Sequence, residues 1–190
     1  MSRNPMKIKG LTLIELMITL AIAGILIASA APSMREFIQN NRSATQINEL
    51  QATLNLGRNE AIKRNSNISI CRSSNGTGCA GNWQDGWIVF VDNDLDGNVD
   101  AGVDEILRVH GGLVEGNTLK FTQTRVSYAN SGLARTGSNG LFIHCDSRGP
   151  RYARALVVGP SGRARLFTES DFQRVMDDNE SIDYGHICAS

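Results

Sequence analysis

The stretch Lys9-Gly10-Leu11-Thr12-Leu13-Ile14-Glu15-Leu16 opens an almost purely apolar run that continues to Ala31 and meets Pro32. A helix of about 20 residues, rising ~1.5 Å per residue, just spans a bilayer core. Residues 1–10 are short and polar and carry Arg3, Lys7 and Lys9. Basic flanks stay in the cytoplasm, so everything after Pro32 is expected on the far side of the membrane. A conventional signal peptide is cut behind its apolar stretch. Here the small residues Ala28-Ser29-Ala30-Ala31 run straight into Pro32, so no compelling site follows. The odd residue is Glu15. A carboxylate inside a bilayer helix costs about 2.5–3.5 kcal/mol or more, and a plain anchor gives no reason to bear that cost.

Beyond Pro32 the helical pattern continues. Phe37, Ala44, Ile47, Leu50, Leu54, Ala61 and Ile62 recur at steps of three and four, which draws one apolar stripe. Pro32 lacks one N–H and predicts a kink, not an end. The second half is expected to reach about Arg64, with its stripe on a sheet, and Asn65-Ser66-Asn67 to stop it. From there the period becomes two. Strands are predicted at 68–70, 87–91, 106–109, 119–121, 126–128, 141–143, 155–158 and 164–167, separated by Gly-, Asn- and Ser-rich turns. One long helix followed by short strands is an α+β pattern. The expected division is residues 1–10, a membrane half 11–32, an amphipathic half 33–64 and a β-rich head 65–190.

Hydrophobic residues at 41% and charged residues at 20% suit a folded chain and exclude a disordered one. The zero formal net charge conceals segregation. Seven acidic residues between Asp92 and Glu115 face one arginine, whereas six arginines between Arg148 and Arg174 face only Glu169 and Asp171. Cys71, Cys79, Cys145 and Cys188 are an even set in an exported chain and predict two disulfides. Three connectivities are open. The preferred one joins Cys71 to Cys79 across a short polar loop and Cys145 to Cys188 at the tail. With no CxxC and no nearby His pair, zinc spacing is lacking.

The stretch from Lys9 to Glu15 resembles the type III signal of type IV pilins and pseudopilins. The resemblance implies that a prepilin peptidase cuts between Gly10 and Leu11 on the cytoplasmic side and methylates the new amine of Leu11. It also implies that Glu15, the fifth mature residue, neutralises that amine on an adjacent subunit, and it matches Pro32 to a common proline. Within that class the chain is similar to the GspH/FimT family of minor pilins and pseudopilins. The likeness rests on Leu56-Gly57-Arg58-Asn59-Glu60-Ala61-Ile62-Lys63-Arg64, Ile68-Ser69-Ile70-Cys71-Arg72, Trp83, Gly86-Trp87-Ile88-Val89-Phe90-Val91-Asp92, Ile106-Leu107-Arg108 and Gly162-Arg163-Ala164-Arg165. It covers roughly residues 10–167, and the tail from Thr168 is longer than the family pattern predicts. The family implies the type IV pilin fold, a long kinked helix packed on a β-rich head.

Gly162-Arg163-Ala164-Arg165 is the leading candidate surface. Strand residues i and i+2 share a face, so Arg163 and Arg165 can present guanidiniums about 7 Å apart, within reach of successive phosphates. Gly162 permits the tight turn, and Arg148, Arg151 and Arg154 are expected to widen the patch. In the FimT branch the element resembles a DNA-binding motif used in natural transformation. The alternative is that both arginines pair with the acidic block or with a neighbouring subunit. Asp92-Asn93-Asp94-Leu95-Asp96-Gly97-Asn98-Val99-Asp100 resembles nine positions of a calcium loop, with Asp92, Asp94, Asp96, Asn98 and Asp100 as candidate ligands. Val103 stands where the closing Glu belongs, and the alternative is an Asx/Gly-rich hairpin loop. Trp83 and Trp87 read as core. No nucleophile elbow, P-loop or GxGxxG is present, so an enzyme is not expected, nor is any cofactor besides calcium.

The resulting expectation is a minor pilin near the filament tip or in the priming complex. It would span the inner membrane once, with a periplasmic head, and partner other pilin subunits, the prepilin peptidase and double-stranded DNA. A GspH-like pseudopilin of type II secretion and a purely structural priming subunit are the alternatives.

Overall fold

The computed structural model describes residues 12–167 together with Cys188, so Gly10 and Leu11 lie outside the described residues. Helix α1 runs from Leu13 to Arg64 and passes through Pro32 without a break. The chain divides into two compact units, Met1–Asn41 and Arg42–Ser190.

In the first unit α1 offers its apolar side chains outward. Leu13, Ile14, Leu20, Ile25 and Ile27 are all exposed, and an 18-residue window reaches a mean hydropathy of 2.3, enough to cross a membrane. Its hydroxyls are already satisfied. Thr19, Ser29 and Ser33 donate to the carbonyls of Leu16, Leu26 and Ala30, so an apolar environment meets no stranded donor on them.

The second unit contains the rest of α1 and eight strands. These are β1 Ile68–Arg72, β2 Trp87–Val91, β3 Glu105–His110, β4 Thr118–Phe121, β5 Arg125–Tyr128, β6 Gly140–Cys145, β7 Arg154–Val158 and β8 Ala164–Leu166. They form two four-stranded antiparallel sheets, ordered β3-β2-β1-β5 and β4-β6-β7-β8. All eight predicted strands are present. Asn65 takes a left-handed φ of 52° and lets the Ser66 N–H return to the Ala61 carbonyl, which closes α1 after Arg64.

One core joins the helix to both sheets. Ile47, Leu50, Leu54 and Ala61 meet Ile68, Ile70, Trp87 and Val89 from one sheet and Phe142, Leu156 and Val158 from the other. Every buried residue among those described lies at Ser43 or beyond, so the head carries its own core. Gly57 brings α1 close to β1, where a β-carbon would press on Ile70 at 2.9 Å. Both tryptophans are core as expected. Trp87 donates to Thr53 Oγ1 at 3.3 Å, and Trp83 packs edge-on against Phe121 and Phe142.

The helical stripe is not purely apolar. Phe37 and Ile62 are exposed, while Ser43, Gln46 and Thr53 are buried. Polar side chains occupy the buried face because partners across the core hydrogen-bond them. The disulfides are Cys71–Cys79 and Cys145–Cys188. Along β6, Phe142 turns to the main core while Leu141, Ile143 and Cys145 turn to a second cluster on the other face.

Candidate functional site

The β7–β8 hairpin presents the arginine element. The Gly162 N–H donates to the Gly159 carbonyl at 2.9 Å, and the Gly159 N–H to the Arg163 carbonyl at 3.1 Å. Gly162 sits at φ 74°, and a β-carbon there would overlap the Gly132 carbonyl oxygen. Glycine is required on both counts. The same carbonyl accepts Arg58 Nε from α1 at 2.9 Å, and the Ala134 N–H donates to the Pro160 carbonyl at 3.1 Å. A guanidinium on the helix therefore pins the loop on which the hairpin rests.

On this hairpin Arg163 is exposed, Ala164 buried and Arg165 exposed. Both arginines are thus exposed on either side of the buried Ala164, Arg165 within β8 and Arg163 in the turn that leads into it. Arg163 forms no ion pair among the described residues. The predicted pairing with the acidic block is thus not made by Arg163 there.

Arg148 and Arg154 do not widen the patch as predicted. Arg165 stands opposite Val157, on the sheet face of Ala155 and Leu141. Arg154 stands opposite His144 and alternates with Ala155, which places it on the other face. Arg148 is committed elsewhere. It grips Asp146 through Nε and a 2.6 Å contact from the guanidinium terminus, and it lies 4.0 Å over the Tyr152 ring. Burial pushes the Asp146 carboxyl up, but the hydrogen bonds and charge of Arg148 outweigh it and hold the group below the ordinary range. Arg151 is exposed on the short 3-10 turn Pro150–Tyr152.

The acidic loop joins β2 to β3 and brings carboxylates into two groups that share Asp94. Oxygens of Asp92, Asp94 and Asp96 lie within 4.8 Å of one another, as do those of Asp94, Asp100 and Asp104. Asp104 takes the place near the loop's end that Val103 cannot fill. It accepts the N–H groups of Asn93 and Asp100, both at 3.0 Å. Asn98 folds back on the loop, donating to Asp96 through its backbone at 2.7 Å and its side chain at 3.2 Å. Asp100 is pushed up by the charge of Asp96, by burial, and by Asp94 and Asp104. Crowded carboxylates of this kind favour a cation.

Glu15 lies in the first turn of α1, and its N–H meets Thr12 Oγ1 at 3.3 Å. Thr12-x-x-Glu15 is thus also a helix-start signal, missed when Glu15 is weighed only as a buried charge.

A prokaryotic N-terminal methylation motif matches residues 5–31. The model of the type II transport protein GspH matches residues 46–162. No curated protein matches the chain. Two crystal forms of the Pseudomonas aeruginosa type IV minor pilin FimU are similar at 23% identity. One has a TM-score of 0.56 over 70% of this chain and 94% of that chain, the other 0.51 over 65% and 90%. The minor pseudopilin EpsH of the Vibrio cholerae type 2 secretion system aligns at 14% identity and TM-score 0.46, over 66% of this chain and 95% of that one. The pilin fold expected from the sequence is the fold observed. Its family consists of structural subunits that assemble with other pilins, and its apolar amino-terminal helix suits membrane anchoring. The chain belongs to the GspH family and is a minor pilin or pseudopilin of the type IV pilus and type II secretion class.

Proposed function

We propose that this subunit enters a type IV pilus at its tip or priming complex and holds double-stranded DNA through Arg163 and Arg165 during natural transformation. The observation that carries the reading is the pinned hairpin, where two exposed arginines flank a buried alanine beside a turn braced by Arg58 through the Gly132 carbonyl. Such contacts meet phosphates and carry no base readout, so binding is not sequence-specific. Arg151 is a further exposed cation, and Arg148 and Arg154 drop out. Before assembly the chain spans the inner membrane once, and the prepilin peptidase cuts between Gly10 and Leu11 and methylates Leu11. Glu15 then pairs with the amine of a neighbouring subunit.

A gel-shift assay of the head from residue 42 onward tests the DNA reading, wild type against Arg163→Ala/Arg165→Ala. A shift at low salt that the double variant loses supports it. No shift by the wild type leaves a pseudopilin of type II secretion or a purely structural priming subunit as the better account.

A second reading concerns the loop from Asp92 to Asp104. Two carboxylate groups sharing Asp94, with Asp100 raised by its neighbours, favour calcium held by Asp92, Asp94, Asp96, Asp100 and Asp104. Asn98 sits at the position whose backbone carbonyl serves in such loops.

A further inference from the structure

A cleft of about 320 Å³ is bordered by the acidic loop, β5 and residues 135–138. Its floor is built of buried groups that already satisfy one another. The Ser69 hydroxyl donates to Asp92 Oδ2 and lies 2.7 Å from Ser127 Oγ. The Gly97 N–H reaches Asp92 Oδ1 at 3.4 Å, and the Ser127 N–H reaches Ser138 Oγ at 2.9 Å. Asp92 is 3% exposed and accepts from Ser69 at one oxygen and from Gly97 at the other.

The walls supply donors. Arg125 and Arg135 line the cleft, and each is half-buried. Arg135 is placed by its own N–H, which donates to the Ser127 carbonyl at 2.8 Å, and spends one guanidinium N–H on Asn67 Oδ1 at 3.1 Å. Arg125 lies against Gly97, where a β-carbon would overlap the guanidinium. The glycine of the acidic loop is therefore also the seat of an arginine. Asp96 attracts Arg125 through space. Among the described residues, no side-chain hydrogen bond from the Arg125 guanidinium is made. A guanidinium has five N–H donors in a planar fork. Two such forks, partly withdrawn from water and facing one cleft, call for an acceptor with more than one oxygen.

We propose that Arg125 and Arg135 form a site for an oxyanion, a carboxylate or phosphate group, separate from the arginine hairpin and independent of whether DNA binds there. The group is either a free anion or the acidic side chain of an adjoining subunit.

The test is backbone-amide NMR of the full chain in detergent micelles, titrated with sodium phosphate or with succinate, against chloride at matched ionic strength. Saturable shifts at Thr124, Arg125, Arg135 and Ser138 are expected, at least tenfold weaker in Arg125→Gln and in Arg135→Gln and unchanged in Arg163→Ala. Phosphate preferred over succinate identifies a phosphate source, and the reverse identifies an acidic side chain. Shifts reproduced by chloride, retained in both glutamine variants, or centred on Arg163 overturn the proposal. Arg125→Gln keeps the test decisive even if loss of the Asn67 contact unfolds Arg135→Gln.

Discussion

His144 Nε2 lies 2.8 Å from Gln46 Oε1 inside the head, and that one amide oxygen also accepts Asn117 Nδ2 at 2.6 Å. An amide oxygen only accepts, so the proton of His144 sits on Nε2. The other ring nitrogen, Nδ1, then accepts from the Ser43 hydroxyl at 3.2 Å. The ring is neutral and ties α1 to β6. Burial pulls its pKa below the ordinary value, with Arg154 reinforcing the shift and Asp146 opposing it.

A pH dependence follows. Between the lowered folded value and about 6.5, the unfolded chain binds a proton that the folded chain refuses. The contribution of His144 is complete above about pH 6.5 and is lost as pH falls through the folded value. Urea unfolding of the head should show stability declining from pH 7 towards 5, and His144→Gln should flatten that slope. Gln46→Ala leaves the buried His144 and the half-buried Asn117 without their acceptor and should cost about 1–3 kcal/mol at neutral pH.

Gly162→Ala should destabilise the head by about 1–3 kcal/mol, because it adds a side chain at positive φ against the Gly132 carbonyl. Thermal unfolding reads the loss. If the hairpin holds DNA, affinity should fall in this variant although both arginines remain.

Removing Arg163 and Arg165 together should reduce the slope of log K against log salt by about 1.8, two phosphate contacts at ~0.9 each. Binding measured across a salt series checks this, and an unaltered slope removes the pair from the interface.

Millimolar calcium should raise the melting temperature of the head, since an ion bound only to the folded state stabilises it. Asp94 belongs to both carboxylate groups, so Asp94→Asn should abolish the rise. A melting temperature indifferent to calcium in the wild type eliminates the loop as a calcium site.

If the peptidase cuts after Gly10 and Glu15 pairs with the new amine of a neighbour, Glu15→Val should leave cleavage intact and abolish incorporation into filaments. Breaking a buried charge pair costs about 3–5 kcal/mol per subunit contact. Mass spectrometry of the mature terminus and immunoblotting of sheared filaments read the two halves separately. Normal incorporation would remove the pairing role.

The elements of this protein are written in its local sequence. Hydrophobic period and turn residues are local properties, so the end of α1 at Arg64, all eight strands and the outward alternation of Arg163 and Arg165 were readable from the chain. Which side chains share a face or a partner is set by the packed fold. Arg154 and Arg165 belong to opposite faces because the β7–β8 register fixes them. Arg148 turns to Asp146, Gln46 is buried under His144, and Arg125 rests on Gly97. These contacts join residues on different elements or depend on how a turn is seated, and the energy of a hydrogen bond or ion pair depends on a distance that linear spacing does not carry.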